Sequence, residues 1–501
     1  MQKELDSIPR DVLLGMRRGV EKESLRVRPG GKLAATPHPR ALGSALTHPH
    51  ITTDFSESQL ELITGPHPSP EACIEELTHI HQVVYRAIGE EILWCASMPC
   101  GLPADDAIPL GQYGTSNIGR AKSVYRMGLA HRYGRRMQAI SGIHYNWSLP
   151  GLSNSDYFAL LRNFRRHGWL LYYLFGASPA VCASFVEGRQ HRLETLKGNT
   201  LYLPHATTLR MGRLGYQSEA QDSITASFNS LESYGASLER ALLRSYPPYE
   251  KIGLRQGEEY RQLATSLIQI ENEYYGKIRP KRRIRSGERP LHALRERGVE
   301  YVEVRLMDLD PFVPVGITAQ TMRVLDVCLL HCLLNDSPPD TPEEIAVAAR
   351  NYECVAARGR EPGLKLIRGS ESIDLRAWGK ELLAECAPVA AALDGVFGGS
   401  AYRAALAAAA GLLANPEATP SARVLAEMAE RHDDSYVRFA LARSHEHASA
   451  LRDGPLPAEV AERFARMAEE SLALQARMES QEKLPFEAWR QRYLSAAMLK
   501  A

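Results

Sequence analysis

Polar and apolar residues alternate with period two in five short runs: GVEKESLRV (19–27), SQLELIT (58–64), GIHYNWSL (142–149), LYLPHATTLR (201–210) and VEYVEVRLMD (299–308). Successive side chains of a strand point to opposite faces, so each run is expected to be a half-buried strand. Between them the period lengthens to that of a helix. SPEACIEELTHIHQVVYRAIGEEI (69–92) is predicted helical, with Ser69 as N-cap and Pro70 in the first turn, and SDYFALLRNFRRHGWLLYYLF (155–175) is a second helix. Beyond about Ala319, Ala and Leu dominate and Glu and Arg recur at helical spacing, as in AYRAALAAAAGLLA (401–414), PSARVLAEMAERH (420–432) and LPAEVAERFARMAEESLALQARMESQ (456–481). The expected class is α+β. Residues 1–320 should form a catalytic α+β body, and 321–501 an α-helical region packed on the same unit. Strands with polar faces favour an antiparallel or mixed sheet open on one side.

The polar faces carry the chemistry. Glu21 and Glu23 share one face of the first strand. In ITTDFSESQLELIT, Glu57, Gln59 and Glu61 alternate with apolar residues, and Asp54 precedes them. His144, Asn146 and Ser148 share a face opposite Ile143, Tyr145 and Trp147, and Tyr301, Glu303 and Arg305 oppose Val302 and Val304. Taken singly, each fits a solvated strand. Lining one cavity, five carboxylates and an imidazole would need cations between them. Oxygen donors with one nitrogen favour Mg²⁺ or Mn²⁺ over zinc, and Mg²⁺ usually joins carboxylates to substrate phosphates. Phosphoryl chemistry is therefore expected.

No Gly-x-x-x-x-Gly-Lys-Ser/Thr, Gly-x-Gly-x-x-Gly, His-Glu-x-x-His or Gly-x-Ser-x-Gly motif occurs. Metals and arginines would have to hold the phosphates. Arg305 is one candidate; the run KIRPKRRIRS (277–286) is another, and it also fits a solvated loop or a nucleic-acid patch.

With 60 Lys plus Arg against 59 Asp plus Glu, global charge draws the chain to neither nucleic acid nor anionic membrane. Eight cysteines without a Cys-x-x-Cys pair read as reduced core thiols. The N-terminal residues lack a signal-peptide apolar stretch. The most apolar window, LLYYLFGASPAVCASF (170–185), is too short to span a bilayer. A soluble cytoplasmic protein is expected.

Seven segments, in order, resemble the proteobacterial type of glutamate–cysteine ligase: GVEKESLRV, ALGSALTHPHITTDFSESQLELIT, QYGTSNIGRAKSVYRMGL, SGIHYNWSLP, YLFGASPAVCASF, QIENEYYGKIRPKR and VEYVEVRLMDLDPF. The resemblance covers roughly residues 10 to 450 and is dense to about 320. It implies a glutamine-synthetase-like funnel of antiparallel strands surrounded by helices. It also implies ATP-dependent joining of the glutamate side-chain carboxylate to the cysteine amine through a γ-glutamyl phosphate, the first step of glutathione synthesis. Carried over by position, the implied metal ligands are Glu21, Glu23, Asp54, Glu61, His144 and Glu303, holding two or three Mg²⁺ (or Mn²⁺) ions. Glu57 is not carried over and is expected on a solvated face. The implied cysteine pocket comprises Tyr125, Leu129, Gln138, Asn146, Arg210, Tyr216 and Tyr275. Arg305 matches the arginine near the transferred phosphoryl group, and Lys281 joins it as an ATP contact. Lys22 stands where an arginine is expected and should point away from the metals. No ATP-grasp module is expected, so the product would be γ-glutamylcysteine. The expected partners are L-glutamate, L-cysteine and ATP, with glutathione as feedback inhibitor; a monomer without nucleic-acid or membrane partner is expected. A ligase of the same fold using another amino acceptor is the alternative.

Overall fold

The computed structural model describes residues 8–215 and 219–500, apart from the side chains of Glu219 and Asp222. Its centre is a seven-stranded sheet formed by β1 (Arg17–Val27), β2 (Ile51–Thr53), β3 (Gln59–Ile63), β4 (Ile92–Leu93), β5 (Ile143–Ser148), β6 (Ile278–Lys281) and β7 (Tyr301–Met307). The strand order is β6-β7-β5-β1-β3-β2, with β4 pairing to the far end of β1. Every pairing is antiparallel.

The two faces of the sheet differ as the alternation predicts. One is covered by helices. α1 (Pro70–Ala87) starts at Ser69, whose side chain accepts from the Ala72 amide, and packs on β1 and β3. α2 (Asn117–Tyr133) lies toward the acidic face, where its Arg126 reaches Asp54, whereas α3 (Asn154–His167) and α4 (Ala319–Leu334) pack on the same side as α1. α4 sits against α1 and α3 and sends Asp326 to the back of the sheet. There Asp326 accepts from Arg18 Nε at 2.7 Å and from the Tyr145 hydroxyl at 2.6 Å. Lys22 is also on this covered face: its Nζ lies 2.8 Å from His81 Nε2 of α1. The expectation that it points away from the acidic face holds. Burial without a carboxylate partner pushes its ammonium down to about 7.

The helical C-terminal stretch, including α5 (Leu375–Phe397), shares one apolar core with the sheet, running from Leu13 to Leu499. Its helix Ala458–Ser480 and the turn after it reach the start of α2: Glu479 Oε1 accepts from the Thr115 amide, and Glu482 Oε2 from the Asn117 amide. Among the described residues no helix is long and apolar enough to cross a membrane.

Several expectations need correction. The 155–175 helix breaks at Gly168 into α3 and a separate helix Trp169–Phe175; the Gly168 backbone passes so close to Phe164 and Tyr352 that a Cβ there would collide. In 201–210 only the first residues extend a short strand, Thr200–Tyr202, before Pro204 ends it. The region beyond 319 is not wholly helical: Lys365–Arg368 and Glu371–Asp374 form a hairpin turned by Gly369 at positive φ. Nor are all the cysteines free thiols. Cys100 and Cys182 form a disulfide, with Cα atoms 5.5 Å apart and a separation of 82 positions in sequence. The fold lays the loop after β4 against the strand Ala180–Cys182, a proximity no local spacing encodes.

Candidate active site

Strand register assembles the site. Glu21 of β1 is the Cα partner of His144 on β5, and Glu23 is the partner of Glu61 on β3. On the other side of β5, Asn146 pairs with Glu303 of β7, which in turn pairs with Arg279 of β6. Directly opposed residues project to the same side, so the acids, the imidazole and the arginines meet on the open face. A nitrogen of His144 and one carboxylate oxygen each of Glu21 and Glu61 lie within 4.8 Å of one another. His144 Nδ1 lies 3.1 Å from Glu21 Oε2 and 3.8 Å from Glu303 Oε1, and Nε2 lies 3.6 Å from Glu23 Oε1. Asp54, on the loop between β2 and β3, adds its charge to those of Glu23 and Glu61. Arg126 Nε donates to its backbone carbonyl. The structure thus brings Glu21, Glu23, Glu61, His144 and Glu303 to one place, with Asp54 on the adjoining loop.

The electrostatics are those of repelling acids in a dry setting. Burial, then Asp54, pushes Glu23 up to about 8. Burial and the neighbouring Glu21, Asp54 and Glu23 hold Glu61 well above the carboxylate range. Glu303 is 1% exposed, yet Lys281, Arg305 and His144 outweigh burial and hold it well below that range. Burial and Arg305 lower His144, leaving a neutral imidazole whose lone pair is available. A neutral nitrogen among carboxylate oxygens fits a hard divalent cation, and so does Asn146 Oδ1, a buried oxygen with no hydrogen bond from any described residue.

Cations of the protein line one edge. Arg305 Nη1 lies 3.1 Å from Glu303 Oε2 and 3.3 Å from His144 Nδ1. Burial works against its charge, but Glu303, Glu23 and Glu21 hold it firmly protonated. Lys281 Nζ reaches Glu303 Oε1 at 3.3 Å. The basic run therefore divides where β6 ends, not by parity. Arg279 and Lys281 face the acids, whereas Arg283 and Arg285 are exposed beyond the end of β6. Arg279 went unnamed from sequence although its spacing to Lys281 carried the signal; burial and Arg305 lower it to about 10.

The residues expected to hold cysteine fall into subsets. Asn146 Nδ2 donates to Glu21 Oε1 at 2.8 Å, tying it to the acidic cluster. Gln138 Nε2 donates to the Tyr275 hydroxyl at 2.6 Å. Arg210 is buried against Gly142, where a Cβ would collide with its guanidinium, and donates to the Arg305 carbonyl at 3.0 Å. Gly142 in turn donates its amide to Glu23 Oε2 at 2.7 Å. Tyr125 and Leu129 lie on α2; Tyr125 packs on a second apolar cluster with Ala121, Leu263 and Phe486. Tyr216 lies outside the described residues.

Glu57 departs from its expected solvated position. It sits in the turn before β3 and is 7% exposed; Oε1 accepts from the His38 amide and Oε2 from the Gln112 amide. It clamps two loops.

A family model described as glutamate-cysteine ligase matches residues 3–355. The glutamate–cysteine ligase of Pseudomonas entomophila (strain L48) is 49% identical over 490 residues, covering 94% of this chain and 92% of its own length. That of Pseudomonas aeruginosa (strain UCBPP-PA14) is 50% identical over 479 residues, covering 92% and 90%. Among solved structures, the glutamate–cysteine ligase of Francisella tularensis in complex with AMP matches with a TM-score of 0.92 and 36% identity, over 96% of this chain and 98% of that one. A bifunctional glutathione synthetase from Pasteurella multocida matches with a TM-score of 0.68 and 25% identity, over 95% of this chain and 58% of that one.

An antiparallel sheet, helices on one face and buried acids and arginines on the other, has the α+β glutamine-synthetase-like architecture of an ATP-dependent ligase. The chain belongs to the glutamate–cysteine ligase family.

Proposed function

We propose that this protein joins the γ-carboxylate of L-glutamate to the amino group of L-cysteine, consuming ATP and releasing γ-glutamylcysteine, ADP and phosphate, the first step of glutathione biosynthesis. The observation that carries the reading is the meeting of Glu21, Glu61 and His144 within 4.8 Å on the open face of the sheet, in a member of this family.

A carboxylate is a poor acyl donor because oxide is a poor leaving group. Transfer of the γ-phosphoryl group of ATP onto it gives an acyl phosphate that an amine can attack. Such transfer needs positioning and charge neutralisation more than covalent help from side chains. In this reading Glu21, Glu23, Asp54, Glu61, His144 and Glu303 hold two or three Mg²⁺ or Mn²⁺ ions. When bound, these ions offset the charge of the triphosphate and of the acceptor carboxylate. Arg305, kept protonated by the acids beside it, faces the transferring group, with Lys281 as a second phosphate contact. Asn146 orients Glu21, and Gly142 orients Glu23.

For the second half-reaction, Tyr125, Leu129, Gln138, Asn146, Arg210, Tyr216 and Tyr275 bind cysteine. The hydrogen bond from Gln138 to Tyr275 supports treating those two as one wall. A slot that selects a small side chain by packing discriminates by only about 1–3 kcal/mol, so 2-aminobutyrate should serve as an acceptor. The same proposal includes a monomeric cytoplasmic enzyme, feedback inhibition by glutathione, and a helical region 321–501 working as part of the catalytic unit. Support for the last comes from Glu479 and Glu482, which fix the start of α2.

An ADP-release assay with ATP, Mg²⁺, L-glutamate and L-cysteine, omitting each in turn, tests the reading. Release should need all four. Release that depends on glutamate but is indifferent to cysteine would point to another amino acceptor.

A further inference from the structure

On the covered side of the sheet, three helices meet around a second set of ligand-capable side chains. His167 is the last residue of α3, Cys328, His331 and Cys332 lie on α4, and Cys386 lies on α5. Positions 328, 331 and 332 fall on one helical face. A nitrogen of His167, a nitrogen of His331 and Cys332 Sγ all lie within 4.8 Å of one another. With Cys328 and Cys386 they line a cavity of about 20 Å³, walled by Phe164, Leu171 and Leu382, which has room for one ion or one water. Cys328 and Cys386 are hydrogen-bonded to each other.

Packing alone does not account for this composition. His167 Nδ1 is buried and has no hydrogen-bond partner among the described residues, a cost that an apolar residue at this junction would avoid. His331 has a carboxylate beside its ring: Nε2 lies 3.1 Å from Glu385 Oε2, the kind of outer partner that usually fixes a ligating imidazole. The donors are nitrogen and sulfur, in contrast to the oxygen-rich face of the sheet.

We propose that this junction is a soft-metal site that takes one Zn²⁺ ion through His167, His331 and Cys332, with a thiolate of the Cys328–Cys386 pair as fourth ligand. Two neutral imidazoles and two thiolates make a closed tetrahedral set of the structural kind. Binding releases two thiol protons to solvent and needs no oxidant. The ion would tie α3 to α4 and α5, joining the sheet body to the helical region.

The test is a Co²⁺ titration of the full-length protein, freed of metal and kept reduced. Co²⁺ bound by thiolate gives a sulfur-to-metal charge-transfer band in the near ultraviolet, which the carboxylates and His144 of the active site cannot produce. The band should saturate at one equivalent and collapse on adding Zn²⁺. It should lose at least half its intensity in Cys332→Ser, which leaves a single thiolate, weaken at least tenfold in apparent affinity in His167→Gln, and persist in Cys354→Ser. His167→Gln keeps a polar side chain of similar size, and its circular dichroism should match that of the parent. No band in the folded parent, or a band unchanged in Cys332→Ser or in His167→Gln, would overturn the proposal.

Discussion

Glu23 and Glu61 are direct cross-strand partners, two carboxylates facing each other between β1 and β3, and both resist ionisation. Like charges directly opposed in a ladder are destabilising, so this pair is kept for something other than sheet stability.

Replacing one member should therefore separate stability from activity. Glu61→Gln is expected to leave the melting temperature of the metal-free protein unchanged or raised, while ligase turnover falls at least about 100-fold, the scale of losing one charge-stabilising group in a buried site. Thermal melts in chelator, paired with ADP release, check this. A large loss of stability would mean that Glu61 is a structural acid.

Divalent ions should relieve the same repulsion. Mg²⁺ at about 100 times its dissociation constant should stabilise the folded protein by about 2.7 kcal/mol, with a saturable rise in melting temperature. The rise should be much smaller in Glu21→Gln, which removes a carboxylate within 4.8 Å of Glu61 and His144. Identical Mg²⁺ responses in the two proteins would remove Glu21 from the ion site.

Arg305 should act on the moving charge. Arg305→Ala is expected to lower kcat by about 10²–10³ with a smaller change in the KM for glutamate. An unchanged kcat with a raised KM would make it a binding residue only.

Gln138 and Tyr275 should act as a pair on the second substrate. Gln138→Ala and Tyr275→Phe are each expected to raise the KM for cysteine about tenfold. Their double-mutant coupling should be about 1 kcal/mol, the worth of the hydrogen bond they share. Strictly additive effects would show that they work separately.

Behind the sheet, Asp326→Ala should destabilise the protein by about 3–5 kcal/mol, because it strands the fully buried Arg18 guanidinium and removes the acceptor of Tyr145. Chemical denaturation measures this directly. A change below about 1 kcal/mol would mean that water or backbone rescues Arg18.

Much of this could be read from the chain because strand parity is a local property. Glu21 with Glu23, His144 with Asn146, and Glu303 with Arg305 each keep the spacing that puts them on one face, and Lys22, one residue out of step, points the other way. Register is not local. That Glu23 meets Glu61 and Glu21 meets His144 depends on how strands distant in sequence align. Glu57, expected on a solvated face, is buried for a reason no local pattern carries: the fold brings the amides of His38 and Gln112 to its carboxylate. The Cys100–Cys182 bond lay out of reach because its partners are 82 positions apart and the fold between them decides it.

The most direct test counts bound ions. Mn²⁺ binding in the presence of a non-hydrolysable ATP analogue, followed by electron paramagnetic resonance, should give two or three sites in the parent protein. In folded Glu303→Gln at least one should be lost, and ADP release should be abolished. Full Mn²⁺ occupancy with near-normal turnover in Glu303→Gln would contradict the account.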